Sequence, residues 1–153
     1  MRINWYEKAP DALKAMMGVQ TFVDKSSIDL KLIELLKIRA SQINGCAYCL
    51  DMHTKDAIAI GETSQRLHLL AAWHEAKSFY SPKEQAALAW CESLTNISTQ
   101  GASDDLYQEL QKHFNEKEII ELTMAIVVIN GWNRLAVGFG AETGSYVSKH
   151  KPH

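Results

Sequence analysis

The stretch Asn44-Gly45-Cys46-Ala47-Tyr48-Cys49-Leu50-Asp51-Met52-His53 ends one helix and opens the next. Asn-Gly is a good helix stop, because glycine enters the left-handed region without steric cost. The two cysteines that follow stand three apart, and His53 stands four beyond the second. On a helix, residues three, four and seven apart share a face. The new helix would run to Ile60 and stop at Gly61, presenting two thiols and an imidazole as one line of side chains.

The remaining segments follow the same grammar, with little period-two alternation anywhere. Pro10 suits the first turn of a helix running to about Val23. Ser26-Ser27-Ile28-Asp29 reads as a capping-box start for the helix carrying Leu30, Ile33, Glu34, Leu36, Lys37, Ile38 and Ala40. Thr63 is placed to cap a helix holding Leu67, Leu70, Ala71, Trp73 and His74. Ser81-Pro82-Lys83-Glu84 combines a cap, a proline at the first position and a glutamate at the third. Ser103 opens a helix through Leu106 and Leu110. Asn115 opens a long one from Glu116 to about Val137, apolar on more than one face (Ile119, Ile120, Leu122, Met124, Val127, Trp132) and therefore central to the core or buried against another subunit. Gly138-Phe139-Gly140 and the polar residues after it read as a loosely ordered end. The expectation is an all-α protein, one domain over 1–153, with its core at about 10–140.

Composition narrows the function classes. With 153 residues the chain can bury one real core, and a net charge of -2 gives no electrostatic case for nucleic acid. The tail Lys149-His150-Lys151 is too small for a basic arm. The longest apolar run, Met124 to Ile129, falls far below the roughly 20 residues of a membrane span. The N-terminus has no signal-peptide core, and three cysteines do not make a disulfide framework. A cytoplasmic protein acting on neither nucleic acid nor membrane is expected.

In a reducing compartment, Cys-x-x-Cys is a redox or metal element. If Cys46 opens a helix, both sulfurs sit where backbone N–H groups favour an anion. Thiolate is the reactive form, and an ordinary thiol with pKa near ~8.5 is mostly protonated at neutral pH. His53 can supply a base one turn beyond Cys49, and Glu34 can orient it if the two helices fold back on each other. Cα atoms three apart on a helix lie about 5 Å apart, within the reach of a disulfide. Two plainer readings stand beside this one. Cys46, Cys49 and His53 are three zinc ligands, but a structural site takes four and no second Cys-x-x-Cys or His-x3-His supplies the rest. Alternatively Cys46, Cys49, His53 and Asp56 fill an ordinary helical seam, which suits a histidine and an aspartate badly. Cys91 reads as a core cysteine. His68, His74, His113, His150 and His153 read as surface or locally bonded residues. No metal or cofactor is expected.

Glu34 with Cys46-x-x-Cys49-x3-His53 resembles the signature of the alkyl hydroperoxidase D-like (AhpD-like) proteins of the carboxymuconolactone decarboxylase superfamily, matching Glu-x11-Cys-x2-Cys-x3-His throughout. Gly61-Glu62-Thr63, Leu69 to Trp73 and Asn130 to Leu135 are similar to the single-domain, peroxidase-related branch. The resemblance implies packed helical hairpins assembled into trimers or hexamers, with the thiol pair near a subunit interface. It implies reduction of an organic hydroperoxide: Cys49 attacks, Cys46 resolves the sulfenic acid to a disulfide, and Glu34 with His53 relays the proton. A dithiol partner, lipoyl-bearing in relatives, would restore the thiols. The chain departs from well-studied relatives in carrying Tyr48 where they place a histidine, and in holding its pair in the first half of the chain. Helix-start electrostatics alone favour Cys46 as the nucleophile, so the order of the two thiols stays open, as does whether Tyr48 donates a hydrogen bond or packs. Asn133 and Arg134 either bind near the pocket or cap the last helix. The competing functions are a lactone-directed lyase or hydrolase, which has no use for a redox pair, and a non-enzymatic oligomer switched by a disulfide.

Overall fold

The computed structural model describes residues 1–150, and among these every regular element is helical. The α-helices are α1 (Trp5–Lys8), α2 (Pro10–Asp24), α3 (Leu30–Asn44), α4 (Ala47–Ala59), α5 (Ser64–Leu69), α6 (Pro82–Thr95), α7 (Ile97–Gln100), α8 (Asp104–Gln111) and α9 (Glu116–Phe139), with 3-10 turns at Leu70–Ala72 and Lys77–Phe79. Lys151 and His153, assigned from sequence to the tail and the surface, lie outside the described residues.

The central helix is α3. It packs against α4, α6 and α9, and buries Leu32, Ile33, Leu35, Leu36, Ile38 and Ala40. The sequence reading has α9 apolar on more than one face. In the structure α9 keeps an inner face of Ile119, Leu122, Ala125, Ile126 and Ile129, while Ile120 and Val127 stand more than half exposed. By length and composition α9 would suffice to cross a membrane, but its inner face is filled by α2, α3 and α6. The central role of α3 is hidden in the sequence because Glu34, Lys37 and Ser41 make it look amphipathic. All three are buried, and each is satisfied by a protein partner.

Capping accounts for most helix starts. Ser81 and Asn115 each form a complete capping box, with Glu84 and Glu118 respectively. The start of α3 differs from the sequence expectation. Asp29, not Ser26, is the cap, accepting from the Leu32 N–H at 3.2 Å. The Ser26 hydroxyl instead accepts from the Ile28 N–H, and Ser26 and Ser27 both donate to the buried Glu121 carboxylate of α9. The helix after Thr63 is also shorter than expected. It yields at Leu70, where the chain turns so that Trp73 Nε1 and His74 Nε2 can bond Glu92 of α6.

The C-terminal end of α3 is pinned by polar side chains. Asn44 Nδ2 donates to Asn130 Oδ1 and Asn133 Oδ1, both at 2.9 Å, and Asn133 Nδ2 donates to Ser41 Oγ at 3.0 Å. Asn133 therefore holds α9 to α3 directly before the Gly45 turn and does not cap a helix. Arg134 turns away and bonds Asn130. Asn133→Ala is expected to lower stability by about 2 kcal/mol, because it removes two hydrogen bonds that tie α9 to α3 in a buried site and leaves Asn44 with Asn130 alone and Ser41 with the Lys37 carbonyl alone. A urea melt with an unchanged m-value checks this.

The expected loosely ordered end is in fact tethered. α9 continues to Phe139, Gly140 adopts the left-handed conformation at φ 69°, and the chain then returns across α4. The backbone N–H of Gly144 donates to Asp51 Oδ2, and Lys55 Nζ donates to the Tyr146 carbonyl, both at 3.0 Å.

Candidate active site

Gly45, at φ 65°, turns the chain between α3 and α4 as the Asn-Gly reading required. The two helices then pack side by side. Cys46 is the N-cap of α4, and its sulfur accepts the backbone N–H of Cys49 at 3.3 Å. Cys46 and Cys49 are joined by a disulfide across a Cα–Cα distance of 5.3 Å, close to the spacing expected of a helical pair. Both are almost fully buried, at 1% exposure. His53 and Asp56 continue the same face of α4 and are also buried.

Opposite them, α3 supplies Glu34. Its Oε2 lies 2.8 Å from His53 Nδ1, and its Oε1 accepts from Lys37 Nζ at 3.0 Å. Burial by itself would raise the Glu34 pKa. The hydrogen bond and charge of His53, with those of Lys37, outweigh it and hold the carboxyl below its ordinary range. When Nδ1–H donates to Glu34, Nε2 is left as the basic nitrogen. The geometry therefore provides an oriented imidazole one turn from Cys49, backed by an ionised carboxylate.

All four residues singled out in the sequence, Glu34, Cys46, Cys49 and His53, thus lie along the α3–α4 packing. Two neighbours were not recognised as part of the site. Lys37 stands one turn after Glu34, so an i,i+3 acid–base pair inside an otherwise apolar stretch was the available signal. Tyr146 gave none. Its hydroxyl reaches the Asp56 carboxylate, 2.9 Å from each oxygen, from 90 residues away in sequence. Tyr48 packs half-buried against the core. Cys91 is fully buried, with its thiol directed at the Leu36 carbonyl, and burial pushes its pKa up to about 12. It is an inert core thiol.

Glu34, His53 and Asp56 present side-chain atoms within 4.8 Å of one another. Each is already engaged by a protein hydrogen bond, and the Lys37 ammonium shares the cluster. Acid, base and cation side chains are thus joined by hydrogen bonds in one buried cluster. A groove of about 580 Å³ lies along α4 and α5, lined by Thr54, Lys55, Ile58, Leu67 and His68 among others, and none of the four residues read from the motif lines it.

The carboxymuconolactone decarboxylase family model matches residues 10–93, a span containing the whole of α3 and α4. The uncharacterized protein YdfG of Bacillus subtilis is 44% identical over 144 residues, covering 94% of this chain and 97% of its own. A crystal structure from Agrobacterium tumefaciens superposes with a TM-score of 0.90 at 41% identity, covering 95% of this chain and 99% of that one. That protein is of unknown function and has been suggested to be the antioxidant defence protein AhpD. A peroxidase-related protein from Silicibacter shares the fold, with a TM-score of 0.80 at 19% identity over 92% of this chain and 74% of its own. With its AhpD-like helical fold and its paired cysteines at the start of α4, the chain belongs to the carboxymuconolactone decarboxylase family.

Proposed function

We propose that the protein is a thiol-dependent peroxidase that reduces organic hydroperoxides through Cys46 and Cys49. The observation that carries this reading is a disulfide-forming pair on the same helix face as a buried imidazole bonded to a carboxylate. A lactone-directed lyase would leave the disulfide without a task.

In the proposed cycle His53 takes the proton of Cys49. The thiolate attacks the terminal oxygen of the hydroperoxide, so an S–O bond forms as the O–O bond breaks. The departing alkoxide takes the proton back from His53 and leaves as alcohol. Cys46 then attacks the Cys49 sulfenic acid, forming the disulfide and releasing water. A dithiol reductant, of the lipoyl-bearing kind, returns both thiols by exchange and is itself oxidised to a disulfide. Glu34 holds the imidazole in the productive tautomer, and Lys37 keeps Glu34 charged. The cytoplasm, where thiols are regenerated, suits such a cycle, and a homo-oligomer (a trimer or hexamer) is the proposed assembly.

The direct test is a thiol count on denatured protein, before and after one equivalent of an organic hydroperoxide. The reduced chain carries three thiols. The expected result is a fall to one, with the survivor mapped to Cys91. Three thiols unchanged would sink the proposal.

A further inference from the structure

We propose that Tyr146, carried on the returning C-terminal segment, is a positioning residue that holds Asp56 beside the Glu34–His53 pair and so tunes how readily the thiol pair ionises. The inference rests on the thiol reading of the site. Its readout is thiolate formation, however, which needs no peroxide turnover, so the two can fail separately.

The geometry is built from both sides. On α4, Asp51 and Lys55 pair with each other at 2.8 Å and hold the returning segment through the Gly144 N–H and the Tyr146 carbonyl. Upstream, the backbone N–H of Arg2 donates to the Phe139 carbonyl at 2.7 Å and fixes where the segment leaves α9. Between these anchors the Tyr146 side chain is half-buried, and its hydroxyl donates to both oxygens of Asp56.

Asp56 has an unusual need for that donor. It is buried at 7% exposure, and among the described residues no lysine, arginine or histidine forms an ion pair with it. The nearby cation Lys37 and the imidazole of His53 are both committed to Glu34. A buried carboxylate without a donor carries a large desolvation penalty, which a hydroxyl placed symmetrically on its oxygens relieves. The Tyr146 hydroxyl is itself pushed well above the ordinary phenol range, by burial first and then by Asp56 and Glu34. It therefore remains a donor at any pH at which the thiols titrate.

The charged and titratable side chains on the face of the pair are Glu34 and Lys37 from α3 and His53 and Asp56 on α4, while Asp51 and Lys55 of α4 are paired with each other and with the returning segment. Arg134, from the neighbouring α9, is turned onto Asn130. Asp56 stands seven residues beyond Cys49 on one helix face, about 10 Å along the axis. A negative charge at that range in a partly buried site opposes a second anion by an amount worth about one pH unit. The tyrosine proton offsets part of it.

The experiment follows thiolate formation in the fully reduced protein by absorbance near 240 nm across a pH titration, for wild type, Tyr146→Phe, Asp56→Asn and the double variant. Cys91, with its pKa near 12, stays silent over the useful range. Tyr146→Phe is expected to raise the midpoint by about half a pH unit, roughly a threefold loss of thiolate at a fixed pH below it. Asp56→Asn is expected to lower the midpoint by about one unit. Adding Tyr146→Phe to Asp56→Asn is expected to change nothing further. A loosened C-terminal segment would speed iodoacetamide alkylation at every pH without moving the midpoint. A midpoint that stays put or falls in Tyr146→Phe, or a Tyr146→Phe effect that persists undiminished beside Asp56→Asn, overturns the proposal.

Discussion

Cys49→Ser is expected to reduce peroxide turnover by at least about a thousandfold, because a serine hydroxyl one turn from His53 cannot replace a thiolate as nucleophile. Its effect on stability should be small, since the replacement is close to isosteric and the site already holds polar partners. Cys46→Ser divides the chemistry differently. If Cys49 attacks first, this variant still consumes one equivalent of hydroperoxide and stops at the sulfenic acid, which a dimedone-type trap and mass spectrometry locate. Turnover retained by Cys49→Ser would refute the assigned nucleophile. Trapping the sulfenic acid on Cys46 in Cys49→Ser would reverse the two roles. The reversed order has a physical basis, because the Cys46 sulfur occupies the N-cap of α4 and accepts a backbone N–H there. Cys49 has the compensating advantage of standing one turn from the imidazole. The pair of single variants measures which influence is larger.

Glu34→Gln is expected to lower both rate and stability. Acid–base assistance through a positioned group contributes roughly 10² to 10⁴ in rate, and an amide supports the His53 tautomer less well than a carboxylate. The larger consequence falls on the fold. Lys37, at 6% exposure, would lose its counter-ion inside the core, and breaking a buried pair from one side costs about 3–5 kcal/mol. Adding Lys37→Met to Glu34→Gln removes the stranded charge and is expected to recover much of the stability without recovering the rate, since methionine fills a similar volume. A thermal melt beside a peroxide assay separates the two effects. Equal recovery of rate and stability would mean that Glu34 matters only as a structural ion. The same pair sets a pH dependence. The Glu34 pKa is depressed in the folded state, so its contribution to stability is present at neutral pH and is lost as the pH falls through and below the ordinary carboxylate range, about pH 4. Glu34→Gln should therefore flatten the acid limb of a stability–pH curve.

Much of this molecule was legible from local pattern. The Asn44-Gly45 stop, the caps at Thr63, Ser81, Ser103 and Asn115, and the placement of Cys46, Cys49 and His53 on one face all follow from interactions within four residues of each position. The start of α3 was not legible in that way: Ser26 and Asp29 both present oxygen acceptors, and the choice fell to Asp29 because Ser26 and Ser27 are drawn to Glu121, 94 or more residues away. The same kind of long-range partner shortened the helix after Thr63, where Glu92 claims Trp73 and His74.

The sequence by itself therefore determined the all-α class, most of the helix boundaries and the alignment of Cys46, Cys49 and His53, because hydrophobic period, caps and side-chain spacing are properties of short windows, while Glu34 was singled out by the family resemblance. Only the tertiary structure decided that α3 is the central helix, that Lys37 belongs to the site, that Asn133 is a strut between helices, and that the final segment folds back to deliver Tyr146 to Asp56. Each of these depends on which polar group a buried charge or amide finds across the core, and nothing in the local pattern of either partner encodes that pairing.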